Sequence, residues 1–192
     1  MVASDTARPR IYLAGPEVFL PHAKDVGAQK TRLCADAGFE GCFPLDNVLD
    51  LAGLTKHQQA MKILDANEAL MRSCDLIVAN ATPFRGVAMD SGTAYEVGFM
   101  RALGKPVFAY TNAPSDYAVR AGEYRRGPRL AEDCDRREYE VEDFDLAENL
   151  MIASAAEATG AHIVRGSKPN APMDDLTAFR RCLDDVRRHF KT

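Results

Sequence analysis

Short apolar runs alternate with longer segments of helical periodicity along most of this chain. The strand-like runs are 10–14, 39–43, 75–80, 106–110 and 161–164. Helices are predicted over 23–37, around the apolar positions 63, 64, 70, 71 and 74, and over 90–103, 146–158 and 174–190. Strands that alternate with helices predict a parallel sheet with crossover helices. The expected fold class is therefore α/β, a doubly wound, mostly parallel five-stranded sheet with helices on both faces.

The composition fits one folded core. Hydrophobic residues make up 46% and charged residues 27% of the 192 residues, which is typical of globular domains and excludes disordered or fibrous classes. The formal charge of −4 offers no basic surface for nucleic acid or an anionic membrane. The chain has no apolar run of membrane-spanning or signal-peptide length. We expect a cytoplasmic, single-domain protein over residues 1–192 with no membrane or nucleic-acid partner.

The chain offers no pattern typical of a disulfide framework or a metal site. Its five cysteines and four histidines are scattered, whereas zinc ligands cluster at characteristic spacings. The expectation is reduced thiols and no metal or organic cofactor.

Residues 112–143 interrupt the alternation. They are rich in Arg, Glu and Asp and poor in large aliphatic residues, and they are too many for a simple connection. We expect a polar insertion here that serves as a surface loop, a lid or a subunit contact.

Ligands of open parallel sheets bind beyond the carboxyl ends of the strands. The usual phosphate-binding loops and the serine-hydrolase elbow do not occur in this sequence. What remains is a cluster of three carboxylates: Asp75 on the third predicted strand, Asp90 at the start of the following helix and Glu96 in its second turn. A pair of carboxylates in one pocket can divide the work of nucleophile and acid, as glycosyl transfer requires.

Each candidate residue also has a structural interpretation. Residues 93–96 fit a capping box in which Glu96 only closes a helix, and Asp90 fits a helix N-cap. Asp75, at the head of a strand, fits a turn residue. Tyr12, within a strand, fits a core residue.

Taken together, the segments of this chain resemble the nucleoside 2-deoxyribosyltransferase family. The matching pieces are IYLAGPEVF (11–19), FPLDN (43–47), CDLIVAN (74–80), FRG (84–86), DSGTAYEVG (90–98), LGKPV (103–107) and ENLMI (148–152). The resemblance implies a flavodoxin-like sheet. It also implies an enzyme that exchanges purine and pyrimidine bases on 2′-deoxyribose with retention.

The resemblance implies a role for each matched residue. Glu96 would be the nucleophile that attacks C1′ of a 2′-deoxynucleoside, and Tyr12 would orient its carboxylate. Asp90 would handle the sugar hydroxyl and the proton of the departing base, and Asp75 would also contact the base. The implied substrate-binding residues are Gly15, Pro16, Phe19, Asp46, Asn47, Ser91, Gly92, Asn149 and Met151.

The resemblance further implies a homo-oligomer. A neighbouring subunit would insert Asn149 toward the sugar 5′-hydroxyl, with Met151 on the same wall. An amide at this place favours free nucleosides over 5′-monophosphates, so the expected partners are 2′-deoxynucleosides and free nucleobases. Two alternatives stay open: an N-glycosidase that hydrolyses deoxynucleosides or their 5′-monophosphates, and a noncatalytic nucleotide-binding module.

Overall fold

The protein contains one five-stranded parallel sheet. A computed structural model describes residues 7–127 and 140–190. The strands are β1 (Arg10–Ala14), β2 (Glu40–Cys42), β3 (Leu76–Asn80), β4 (Val107–Thr111) and β5 (Ile163–Arg165). Their spatial order is β2-β1-β3-β4-β5 and every pairing is parallel. This is the flavodoxin-like order, so the predicted fold class is confirmed.

Six described helices cover the two faces of the sheet. They are α1 (Ala23–Asp36), α2 (Lys56–Ser73), α3 (Ser91–Ala102), α4 (Tyr117–Arg126), α5 (Leu150–Glu157) and α6 (Thr177–His189). Helices α3 and α5 share one apolar layer with Tyr12 and Ile77. Helix α6 and part of α1 share the other layer with Ile11 and Leu13. Neighbouring residues of a strand thus face opposite layers, which is why β3 and β4 are buried along their whole length.

Helix α2 exists as predicted, but its apolar spacing does not mark a buried stripe. Only Met71 is buried in this helix, whereas Ile63 and Leu64 are 41% and 38% exposed. Cys74 lies beyond the last turn as the C-cap residue. Periodicity reports which side chains share a helix face, and it carries no information on whether another element covers that face.

The start of helix α5 and the structure of the polar segment also differ from the sequence interpretation. Helix α5 begins at Leu150 instead of 146, because the side chain of Asn149 accepts a hydrogen bond from the Met151 amide at 3.0 Å and caps the helix there. The polar segment 112–143 contains helix α4, while residues 128–139 lie outside the described part of the chain. The first half of this insertion is therefore helical.

Candidate active site

Tyr12 and Glu96 meet between the sheet and helix α3. Glu96 lies in the second turn of α3, and its partly buried carboxylate accepts a hydrogen bond from the Tyr12 hydroxyl at 2.5 Å. Tyr12 is fully buried on β1, so its phenol has little freedom to turn away. The contact therefore fixes one oxygen of the carboxylate.

Asp90 caps the helix that carries Glu96. Its Oδ2 accepts hydrogen bonds from the amide and the hydroxyl of Thr93, at 3.0 Å and 3.2 Å. Helix α3 begins at Ser91, so Thr93 lies within the first turn and is not the N-cap. The capping-box interpretation of residues 93–96 is wrong, because Asp90 already holds the amide that such a box would use. Glu96 has no capping role.

The surroundings change the ionisation of Glu96. Burial raises its pKa to about 7, the negative charge of Asp90 acts in the same direction, and the hydrogen bond from Tyr12 opposes both. A carboxylate whose pKa lies near neutral pH is a common feature of active sites. The site thus holds a desolvated carboxylate with a fixed donor on one side and a second carboxylate nearby.

An aromatic and cationic surface lies at the same edge of the sheet. Phe19, which is 54% exposed, stacks on Phe84 with ring centroids 5.3 Å apart and planes 11° apart. The Arg85 guanidinium lies 5.0 Å and 4.6 Å from the two ring centroids. Arg85 has a left-handed backbone with φ of 56°, which is uncommon for this residue type. A flat aromatic surface of this kind can stack a nucleobase.

The other predicted binding residues occupy loops at this edge. Gly15 and Pro16 are buried directly after β1, while Asp46 and Asn47 are exposed after β2. Ser91 and Gly92 form the exposed first turn of α3. The parallel topology brings all of these loops to the carboxyl side of the sheet.

A buried ion pair that the sequence analysis missed shapes the first of these loops. Lys30 Nζ lies 2.9 Å from Glu17 Oε1 with both side chains fully buried, and the Tyr110 hydroxyl donates to the same oxygen at 2.7 Å. Burial raises the pKa of Glu17, but Lys30 and Tyr110 outweigh it and hold the pKa below its ordinary value. A Cβ atom on Gly15 would lie 1.9 Å from Glu17 Oε2. Only glycine fits there.

Asp75 does not join this group. It precedes β3, where its Oδ2 accepts a hydrogen bond from the Arg10 amide at 2.7 Å and its own amide donates to the Arg10 carbonyl at 2.8 Å. This is the amino end of the sheet, about 15 Å along β3 from the carboxyl end at a rise of roughly 3.3 Å per residue. The expectation that Asp75 contacts the base is corrected, because the side chain secures the start of two strands instead.

Asn149 is held within its own segment. Its Nδ2 donates to Glu142 Oε1 at 2.6 Å, and its oxygen caps α5. In the described residues of this single chain, no hydrogen bond joins Asn149 to Tyr12, Asp90 or Glu96. Met151, two residues further on, is 71% exposed.

The described residues contain no group of three or more His, Cys, Asp or Glu side chains placed to hold a metal ion. Among the helices that the structure describes, none combines the length and apolar character needed to cross a membrane.

Comparison with known proteins identifies a family and related sequences. The sequence model of the nucleoside 2-deoxyribosyltransferase family matches residues 11–151. An uncharacterised protein of Schizosaccharomyces pombe is 34% identical over 120 residues, which are 62% of this chain. The matched region spans only 57% of the yeast protein's own length.

Two solved structures share the fold. A 2-deoxyribosyltransferase of Leishmania mexicana superposes with a TM-score of 0.61 at 25% identity, covering 92% of this chain and 97% of its own. A conserved protein of Enterococcus faecalis superposes with a TM-score of 0.52 at 20% identity, covering 96% and 98%. The family match extends from β1 through Tyr12, Asp90 and Glu96 to the start of α5, and on this basis the chain belongs to the nucleoside 2-deoxyribosyltransferase family.

Proposed function

We propose that this protein transfers a 2-deoxyribosyl group between purine or pyrimidine bases, with Glu96 as the nucleophile. The observation that carries the proposal is the 2.5 Å contact between the Tyr12 hydroxyl and the Glu96 carboxylate. A nucleophilic carboxylate must present one oxygen to the anomeric carbon, and a fixed donor on the other oxygen provides that orientation.

The first step forms a covalent intermediate. A Glu96 oxygen attacks C1′ from the face opposite the base, the C1′–N bond breaks, and its electron pair leaves with the base. Asp90, in its protonated form, binds the sugar hydroxyl and delivers the proton that the departing base requires. Positive charge develops at C1′ in the transition state, where the Glu96 carboxylate and the Asp90 carboxylate left by this proton transfer stabilise it.

The second step releases the product. A nitrogen of the incoming base attacks C1′, the bond to Glu96 breaks, and the Glu96 carboxylate is regenerated. Asp90, left as a carboxylate by the first step, takes up the proton that the incoming base loses. Each step inverts the configuration at C1′, so the overall result is retention. If water reaches the intermediate before a base does, the product is free deoxyribose and the enzyme acts as an N-glycosidase.

Under this proposal the base stacks on Phe19. Asn149 and Met151 are supplied by a neighbouring subunit of a homo-oligomer, and the Met151 side chain, which is 71% exposed, is accessible for such a contact. The substrates are free 2′-deoxynucleosides and nucleobases. Asp75 has no place in the catalytic group.

The test is a base-exchange assay. The purified protein is incubated with 2′-deoxyinosine or 2′-deoxyadenosine and an excess of a second base, beside a sample without acceptor, and the products are separated by chromatography. A new deoxynucleoside with the β configuration is the expected product. Deoxyribose and free base alone would identify an N-glycosidase. Binding without turnover, for nucleosides and their 5′-monophosphates alike, would identify a noncatalytic module.

The chain offers a matched control for the nucleophile. Glu68 on α2 accepts a hydrogen bond from the Tyr95 hydroxyl at 2.5 Å on the protein surface. Glu96→Gln is expected to abolish exchange, while Glu68→Gln removes a carboxylate with the same kind of partner and is expected to leave exchange unchanged. Equal activity of wild type and Glu96→Gln would refute the proposed nucleophile.

A further inference from the structure

Glu148 is a buried carboxylate that touches two loops at once. The residue is 1% exposed. Its Oε2 accepts a hydrogen bond from the Met89 amide at 3.1 Å, and its Oε1 accepts one from the Asn149 amide at 3.0 Å. Met89 directly precedes Asp90, and Asn149 directly follows Glu148. One side chain therefore joins the backbone beside Asp90, in the proposed site of this subunit, to the backbone of Asn149, which is proposed to serve the neighbouring subunit.

Arg120, from helix α4, completes this connection. Its Nη2 lies 3.3 Å from Glu148 Oε2 and donates to the Ala147 carbonyl at 2.9 Å. Its Nε donates to the Val87 carbonyl at 3.1 Å, and its Nη1 donates to the Ser115 carbonyl at 2.6 Å. The guanidinium thus contacts the loop before Asp90, the segment before Asn149 and the start of the polar insertion.

Stability alone is a weak explanation for such a pair. The Arg120 and Glu148 side chains are 10% and 0% exposed, and removing two charges from water costs much of what their attraction gains. The planar guanidinium instead donates hydrogen bonds to several peptide carbonyls in fixed directions. These bonds fix the relative positions of the backbone segments that they join, which an apolar pair could not do.

We propose that Arg120 and Glu148 are positioning residues that hold Asp90 in the site of its own subunit and hold Asn149 in place for the site of the neighbouring subunit. The inference rests on the proposed function. It also assigns a role to the described first part of the polar insertion: helix α4 braces the loop between β3 and α3.

The test compares variants of this pair with a matched control. Glu148→Gln keeps the shape of the side chain but offers a single acceptor oxygen, so it cannot serve both amides. Arg120→Lys keeps the charge and loses the planar fork. Arg165→Ala is the control, because Arg165 binds Asp116, the N-cap residue of α4, and donates to the Asp145 carbonyl at 3.0 Å without touching residues 87–89.

Three quantities are measured for each folded variant: kcat and KM for base exchange, the melting temperature, and amide hydrogen exchange at Met89 and Asn149. Displacement of a reacting group by a fraction of an ångström lowers rates strongly, so we expect kcat to fall about 10- to 100-fold in both pair variants. The Met89 and Asn149 amides should lose protection. The control breaks a partly exposed ion pair, so it should lose less thermal stability and keep kcat within about twofold.

Two results would overturn the inference. One is a loss of kcat that follows the melting temperature in the same way for the pair variants and the control, since that indicates a purely structural role. The other is unchanged protection of the Met89 and Asn149 amides. If the wild-type protein exchanges no bases, the proposed function fails, while hydrogen exchange at these two amides still decides whether the pair holds the loops.

Discussion

The Tyr12 hydroxyl and the Glu96 carboxylate lie 2.5 Å apart, and the Tyr95 hydroxyl lies at the same distance from Glu68 on the neighbouring surface. The two contacts differ in their surroundings. Tyr12 is fully buried, whereas Tyr95 is 49% exposed. A hydrogen bond out of water is electrostatically stronger than one on the surface, so the exposed Tyr95–Glu68 pair is a suitable reference for the buried Tyr12–Glu96 pair of the proposed site.

Tyr12→Phe should move the acid limb of the pH–rate profile. The hydrogen bond from Tyr12 lowers the pKa of Glu96 against burial and the charge of Asp90, so its loss raises that pKa further. Because the nucleophile must be ionised, kcat should fall more at pH 6 than at pH 8, with the limb displaced upward by about one pH unit. Tyr95→Phe should leave the profile in place. An unmoved limb in Tyr12→Phe would contradict the assigned role of the phenol.

Glu96→Gln should stabilise the folded protein at alkaline pH. The pKa of Glu96 is raised from 4.5 to about 7, so ionisation costs the folded state more than the unfolded chain. Stability contributed by this group is present below about pH 4.5 and is lost as the pH rises toward 7. We expect a gain of about 1–3 kcal/mol in the free energy of unfolding at pH 8, measured by urea denaturation, and little gain at pH 4. An identical pH dependence in wild type and variant would show that burial of the carboxylate has no such cost.

Mixing two inactive variants should restore activity if Asn149 serves a neighbouring subunit. Asn149→Ser retains an N-cap for α5 and loses the amide, and Glu96→Gln supplies intact Asn149. In a dimer at equal mixing, about a quarter of the wild-type activity is expected, since half of the dimers are mixed and each has one complete site. Subunit exchange is verified by mass spectrometry. Absence of recovery in verified mixed oligomers would place Asn149 in the site of its own chain.

Phe19→Ala should weaken substrate binding. Stacking of a base on an aromatic side chain contributes about 1–3 kcal/mol, which corresponds to a rise in KM of roughly 5- to 150-fold. Phe190→Ala is the control, because Phe190 is also partly exposed at 42% but packs on Phe39 in the other layer. Steady-state kinetics with 2′-deoxyinosine separates the two. A rise in KM that is equal in both variants would argue against Phe19 as the stacking surface.

Lys30→Met should destabilise the fold strongly. The change leaves the Glu17 carboxylate buried without its cation, at a cost of about 3–5 kcal/mol. The double variant Glu17→Gln/Lys30→Met removes both charges and should recover most of that loss in urea denaturation. If the double variant is as unstable as Lys30→Met, the damage arises from lost packing around Tyr110 and Phe179 and not from an unpaired charge.

Periodicity and turn chemistry predict most of the architecture. The run at 10–14 and the stripe at 176–190 match β1 and α6 closely, because one is a continuous apolar segment and the other repeats at helical spacing. The same signals predict helix α2, although they do not indicate that Ile63 and Leu64 remain 41% and 38% exposed. They offer two capping patterns for α3, at Asp90 and at Thr93, and only the folded loop decides in favour of Asp90.

Buried charges were beyond the reach of the sequence. The sequence around each of the four buried charged residues is polar or mixed, which is typical of solvent-exposed segments. No local pattern indicates that Lys30 pairs with Glu17, 13 positions away, or that Arg120 pairs with Glu148, 28 positions away. The motif around Asp90 and Glu96 was recognisable because its spacing lies within one helix. The sequence assigned Asp75 to the same pocket as Asp90 and Glu96. A motif gives the order of residues along the chain, but it does not show at which end of the sheet each residue lies.

Helix α4 limits how this chain can be shortened. Loops of related proteins usually vary in length at little cost, and the charged stretch between β4 and α5 looks like a segment that engineering or evolution could trim. Arg120 lies within its first half, where it contacts Val87 and Glu148. A deletion that reaches α4 would therefore remove a support of the Asp90 loop, and tolerated changes in length should be confined to positions after this helix.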